Sequence, residues 1–178
     1  MTSGSDSLDA LRDLVGRPSR RRFSDEPVPR TDVERMIDVA RRTGSARNRQ
    51  PWRFVAVTDA ELRARLAACG AYARHLAGAP LVLVVVGREN GFRDTAFDLG
   101  RVAQSLILAA AACGYDTCLA TFYPDDNVDT VADLLGIGSG WRAEHALSVG
   151  RAREVDAPVG TSAVPTGRHA VADLLTWT

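Results

Sequence analysis

Pro80-Leu-Val-Leu-Val-Val-Val86 is an unbroken apolar run closed by Gly87. Branched aliphatic side chains favour extended backbone, and a strand with one wet face would alternate polar with apolar residues. This run does not alternate. It is therefore expected to be a strand covered on both faces, in the interior of a sheet.

Working outward, Phe54-Val-Ala-Val57 reads as a second short strand. Two capping boxes precede helical patterns. Thr58-Asp-Ala-Glu61 opens a helix through Ala68, and Thr31-Asp-Val-Glu34 opens one with Val33, Met36, Ile37 and Ala40 as its apolar stripe. Leu8, Leu11, Leu14 and Val15 predict a first helix ending before Gly16, with residues 1–7 expected to be flexible. Downstream, Asp98 to Cys113 is a helix that is apolar around much of its circumference and stops at Gly114. In so short a chain a partner subunit is its natural cover. Thr117 to Phe122 and His145 to Val149 are strand candidates, and Asn127 to Leu135 is a helix stopped by Gly136. Residues 151–178 read as an extended C-terminal arm, richest in Gly, Pro, Ser and Thr between Asp156 and Gly167. The expectation is one α+β domain over residues 1–178. There is no G-x-G-x-x-G after the first strand and no Walker-type loop, which disfavours a doubly wound dinucleotide domain and a P-loop.

At 178 residues the chain can bury a core without disulfides or metal. Lys plus Arg and Asp plus Glu are 22 each, so no net field draws nucleic acid or an anionic membrane, and a basic site must be a local patch. No apolar run is long enough to cross a bilayer and the start lacks a leader pattern, so a cytoplasmic protein is expected. Cys69, Cys113 and Cys118 form no Cys-x-x-Cys pair and read as small buried hydrophobes. His75, His145 and His169 sit on separate elements away from any metal or nucleophile motif, so each reads as a surface or satisfied histidine.

Two constellations remain. Arg17-Pro18-Ser19-Arg20-Arg21-Arg22-Phe23 offers four guanidinium groups and a hydroxyl, suited to the oxygens of one terminal phosphate. On its own the run also fits a solvated basic surface or a nucleic-acid patch. Ser45-Ala-Arg-Asn48-Arg-Gln50-Pro-Trp52-Arg-Phe54 supplies side-chain amides that match the alternating carbonyl and nitrogen edge of a flavin ring, though a plain loop-to-strand turn with a packed tryptophan has the same pattern.

Taken together, the segments resemble two motifs of the FMN-dependent nitroreductase family, R-R-S-x-R-x-F and S-S-x-N-x-Q-P-W-R-F. The resemblance continues in order through Ala79-Pro80, Asp98-Leu-Gly100 with Gln104-Ser-Leu106, Gly114-Tyr-Asp-Thr-Cys118, Gly150 and Arg168, and spans about residues 8 to 174. It implies a three-layer α/β/α sandwich with a mostly antiparallel central sheet, helices on both faces and an intertwined dimer. It also implies cofactor contacts. Arg17, Ser19 and Arg21 match phosphate and ribityl contacts, and Pro18 a backbone contact. Ser45, Asn48 and Gln50 match the loop facing the ring. Leu119, Ala120 and Thr121 match a strand whose backbone approaches it, and Arg168 matches a late basic residue closing over the phosphate. Gly44-Ser45-Ala46 keeps one hydroxyl where the family often has two, Thr121 stands where many members have Gly, and Tyr72 lies where some members contribute an Asn and a Lys.

The implied activity is an FMN-dependent oxidoreductase, a homodimer with shared active sites and no metal. It would carry hydride from NAD(P)H to a small acceptor such as a nitroaromatic, quinone or enone. Chemistry would take place at the flavin N5 and no side chain would act as acid or base. The same resemblance accommodates a flavin-dependent dehydrogenase of a biosynthetic pathway, or a flavin-binding protein without turnover.

Overall fold

The computed structural model describes residues 4–153 and 167–178. Four strands, β1 (Trp52–Val57), β2 (Leu81–Arg88), β3 (Asp116–Thr121) and β4 (Trp141–Gly150), form one antiparallel sheet in the order β1-β2-β4-β3. The apolar run at 80–86 is thus an interior strand, as its lack of alternation requires. Leu81, Leu83 and Val85 face one helical layer, and Val82, Val84 and Val86 face the other.

The first layer contains α2 (Arg30–Ala40) and α4 (Asp94–Ala112), which pack on each other and bury Met36, Ala40, Val102, Leu106 and Ala110 against the sheet. The second contains α3 (Ala60–Ala68) and α5 (Asp125–Leu135), with Leu66, Leu76, Phe122, Val128 and Val131 at its centre. Helix α1 (Gly4–Gly16) touches α4, yet Leu8, Leu11 and Val15 stay exposed. A short helix, α6 (Val171–Leu174), follows at the C-terminal end, also exposed. This is the expected α/β/α sandwich.

Several boundaries differ from expectation for physical reasons. The Thr31 box does not form: α2 begins at Arg30 behind Pro29, whose carbonyl takes the Asp32 and Val33 amides, and Glu34 pairs with Arg30 at 2.8 Å instead. At α3 the cap is Asp59, which accepts from the Leu62 N–H at 2.7 Å, rather than Thr58. Helix α1 starts at Gly4, ahead of its apolar stripe, and α4 starts at Asp94, a turn earlier than its motif. Strand β4 begins four residues before His145, and an extra residue in β4 itself, Glu144, bulging opposite Val85 and Val86 of its neighbour, breaks the alternation. Residues 1–3 and the stretch 154–166, the middle of the expected arm, lie outside the described residues.

Candidate active site

The arginine segment runs along the outer edge of β3. The Arg20 N–H donates to the Thr117 carbonyl at 2.9 Å, Phe23 bridges to Ala152, and Arg153 N–H donates back to Arg22 O at 3.0 Å. Phe23 is buried and anchors the segment, whereas the four arginines are exposed. Arg17 Nη1 donates to the Tyr115 carbonyl at 3.4 Å. With Pro18 and Ser19 it bounds a small cleft of about 70 Å³ closed by Thr117 and Leu119 of β3 and by Ile107 and Ala111 of α4. Arg21 lies on the other side of the edge strand, close enough to His75 and Cys118 for its charge to act on both, adding to the lowering at His75 and opposing the rise at Cys118. Arg17 and Arg21 therefore flank β3.

Among the described residues none of Arg17, Arg20, Arg21 and Arg22 pairs with a carboxylate, although Arg30, Arg41, Arg42 and Arg142 all do. Permanently charged groups without an ion pair at one edge make a local positive patch on a chain of zero net charge, with Asp116 lining the cleft beside them. The Cys118 thiol donates to the Leu119 carbonyl at 3.6 Å and is pushed up chiefly by burial, with the neighbouring Arg21 and Ser19 opposing. All three cysteines are free.

Along β3 the side chains alternate. Ala120 is 3% exposed in the α3/α5 core, while Leu119, 46% exposed, and Thr121 face the α4 side. Ala120 can therefore offer a ligand only its backbone. Thr121 Oγ1 lies 3.2 Å from His145 Nδ1.

The second constellation sits elsewhere. Ala46–Asn48 is a 3-10 turn in which Arg47 and Asn48 have φ of 54° and 53°, followed by Gln50 at 47°. Ser45 Oγ accepts from the Gln50 N–H at 2.8 Å, and Gln50 Nε2 donates to Asn48 Oδ1 at 3.1 Å. Arg49 stacks on Phe92, 4.1 Å from its centroid, and pairs with Asp94. Ala46 is tied to Asp98, and the arginine cleft reaches Ala111, 13 residues further along α4. At 1.5 Å per residue that is about 20 Å. One chain thus brings together Arg17, Pro18, Ser19 and Leu119, and separately Ser45, Asn48 and Gln50. Arg168 joins neither group: it is exposed and donates to the Gly167 carbonyl at 2.7 Å.

Sequence reasoning did not pair Tyr115 with Asp32 or His75 with Ser148. Tyr115, buried between α2 and the sheet, donates from its hydroxyl to Asp32 Oδ2 at 2.7 Å, and burial together with Asp32 pushes its pKa up to about 12. His75 shares a 2.9 Å hydrogen bond with Ser148, its Nε2 meets no hydrogen-bond geometry among the described residues, and burial with the nearby Arg21 holds its pKa down. Among the described residues no cluster of side chains could hold a metal ion, and no helix is long and apolar enough to cross a membrane.

Comparison with known proteins agrees with this fold. The profile of the nitroreductase family matches residues 14–70 and 67–151. A protein of Archaeoglobus fulgidus, provisionally named NADH dehydrogenase/NAD(P)H nitroreductase, is 25% identical over 134 residues, covering 72% of this chain and 77% of its own. The NADH dehydrogenase of Thermus thermophilus is 37% identical over 78 residues, 44% of this chain and 38% of its own. The fold is shared with an FMN-dependent nitroreductase from Clostridium difficile, with a TM-score of 0.75, 20% identity and coverage of 92% and 93% of the two chains. It is shared too with a nitroreductase family protein of Streptococcus pneumoniae, with a TM-score of 0.78, 21% identity and coverage of 97% and 100%. With the profile spanning most of the chain and the sandwich reproduced in solved relatives, this protein belongs to the nitroreductase family of oxidoreductases.

Proposed function

We propose that the chain is an FMN-dependent oxidoreductase that takes hydride from NAD(P)H and delivers it to a small organic acceptor such as a nitroaromatic, quinone or enone. The observation that carries the reading is the run of arginines without carboxylate partners among the described residues, on the edge of β3 and beside a strand whose Leu119 and Thr121 are exposed. A phosphate is the ligand such a patch fits: Arg17 and Arg21 would hold it, with Pro18 and Ser19 supplying backbone and hydroxyl contacts between them. The backbone of Leu119, Ala120 and Thr121 would bear on the ring. Arg168, at the far end of the chain, would reach the phosphate as a further cation.

The ring edge needs amides, and Asn48, Gln50 and Ser45 provide them about 20 Å away along α4. A homodimer resolves the separation, with one subunit supplying the phosphate side and its partner the amide side. The exposed Leu8, Leu11, Val15 and Phe97 on α1 and α4 give such a dimer apolar surface to bury. Bound FMN supplies two-electron chemistry at its N5. The chain's own contribution is to anchor the phosphate, orient the ring edge and exclude water.

The test is an absorbance spectrum of the purified protein, followed by anaerobic titration with NADH and NADPH. A flavin spectrum that bleaches with either donor is expected. A protein that stays colourless in excess FMN refutes the reading. Bound flavin that neither donor reduces would instead mark a dehydrogenase using another donor or a binding protein.

A further inference from the structure

Asp94, Asp98, Arg101 and Ser105 fall at i, i+4, i+7 and i+11 of α4 and so lie along one face of the helix. Residues 43–49 run down that face in the opposite direction. The Thr43 and Ser105 hydroxyls are 2.7 Å apart, the Ala46 N–H donates to Asp98 Oδ2 at 2.9 Å, and Arg49 Nη2 pairs with Asp94 Oδ2 at 2.8 Å.

Asp98 is the buried centre of this row, 2% exposed. A buried carboxylate is costly unless its oxygens are held. Here one takes the Ala46 N–H and the other faces the Arg101 guanidinium at 3.5 Å. The residues immediately beyond Ala46 are the ones in left-handed backbone, Arg47, Asn48 and then Gln50, a conformation that asparagine tolerates but that arginine and glutamine adopt at a cost their surroundings must offset. Contacts inside the turn join Ser45, Asn48 and Gln50 to one another, but Asp98 ties the turn to a rigid element through a group water does not reach.

We propose that Asp98 is a positioning residue: its carboxylate holds the strained turn so that Asn48 and Gln50 are presented in one fixed orientation to the cofactor. The functional half of this statement rests on the cofactor reading above. Asp98→Ala removes the acceptor, whereas Asp98→Asn keeps an oxygen for the Ala46 N–H. Ala46→Pro removes the donor instead, and Ser45 is already extended (φ −136°, ψ 158°), as a residue before proline should be.

Two measurements separate the parts of the claim. In the flavin-free protein, trypsin cleavage after Arg47 and Arg49 should be faster by about tenfold or more in Asp98→Ala and Ala46→Pro, with Asp98→Asn close to wild type. In FMN titrations followed by flavin fluorescence, the first two variants should bind about tenfold or more weakly and show a shifted visible band, and Asp98→Asn should again follow wild type. Wild-type cleavage rates in Ala46→Pro, or in a folded Asp98→Ala, overturn the proposal. So does faster cleavage combined with unchanged FMN affinity and spectrum, which would leave Asp98 a purely structural group. If the wild-type protein binds no FMN, the cofactor reading fails and the cleavage experiment still decides whether Asp98 holds the turn.

Discussion

Replacing Gly70 with alanine tests how the α3 end docks on the site strand. The Cys69 carbonyl accepts from the Tyr123 N–H at 3.2 Å, and a Cβ built on Gly70 would stand 2.5 Å from the Thr121 carbonyl oxygen and 3.0 Å from Ala73 Cβ. The nearer atom belongs to the backbone of a paired strand, so it cannot swing aside as a side-chain tip would. Overpacking of this kind costs about 1–3 kcal/mol. The alanine also narrows the unfolded ensemble, which offsets about 0.4–1 kcal/mol. The net loss is about 1–2 kcal/mol, or a fall of about 2–8 °C in Tm for a chain of this size. Gly78, in the same connection, has nothing within 4 Å of the position a Cβ would take and no positive φ, so Gly78→Ala should leave Tm unchanged or raise it by about 1–4 °C. Thermal and urea denaturation of the flavin-free protein measure both. A Gly70→Ala protein as stable as Gly78→Ala would show that the chain between α3 and β2 is not pressed against β3.

Three further outcomes follow from the charged and titrating groups. Tyr115 is a neutral donor in the folded state with its pKa raised to about 12 from 10.0, so its contribution is intact below about pH 10 and is lost as pH climbs through about 12; Tyr115→Phe should cost about 1–3 kcal/mol at neutral pH and flatten that alkaline decline in urea midpoints. His75 is held neutral, its pKa below the usual 6.5, so its contribution is present above pH 6.5 and lost as pH falls through the folded value; His75→Gln should lessen the loss of stability on acidification, and an unchanged acid slope would count against a buried neutral imidazole. Replacing Arg17 and Arg21 together with alanine should weaken FMN binding by about tenfold or more and reduce its salt dependence, whereas binding at wild-type strength would return the run to a plain solvated surface.

Legibility from sequence tracked how local each signal is. The β2 run shows its environment directly, because both layers impose the same demand on every residue. Strand β4 does not: Ala143 and Ala146 both face the α3/α5 core, a spacing of three that alternation cannot produce without the extra residue at Glu144. Thr31 caps nothing because α2 already starts at Arg30, with the Pro29 carbonyl taking the Asp32 and Val33 amides, so the threonine lies inside the helix. The arginine and amide segments were legible as separate clusters. Their separation along α4 was not, since it depends on which end of a helix each segment meets. The polar row of α4 was hidden for a different reason. Asp98 and Ser105 look like isolated interruptions of an apolar helix until they are counted at helical spacing together with Asp94 and Arg101.

The length of α4 has a consequence for how such chains can diverge. With the amide turn fastened near Asp98 and the arginine cleft closed by Ile107 and Ala111, the helix acts as a ruler between two half-sites. One inserted turn between those points would push them apart by about 5 Å, and a single inserted residue would rotate one grip by about 100° relative to the other. Insertions and deletions should therefore be purged from residues 98–111 while they accumulate in the exposed connections at 89–93 and 138–140, so that new acceptor specificities arise at the rim and leave the ruler unchanged.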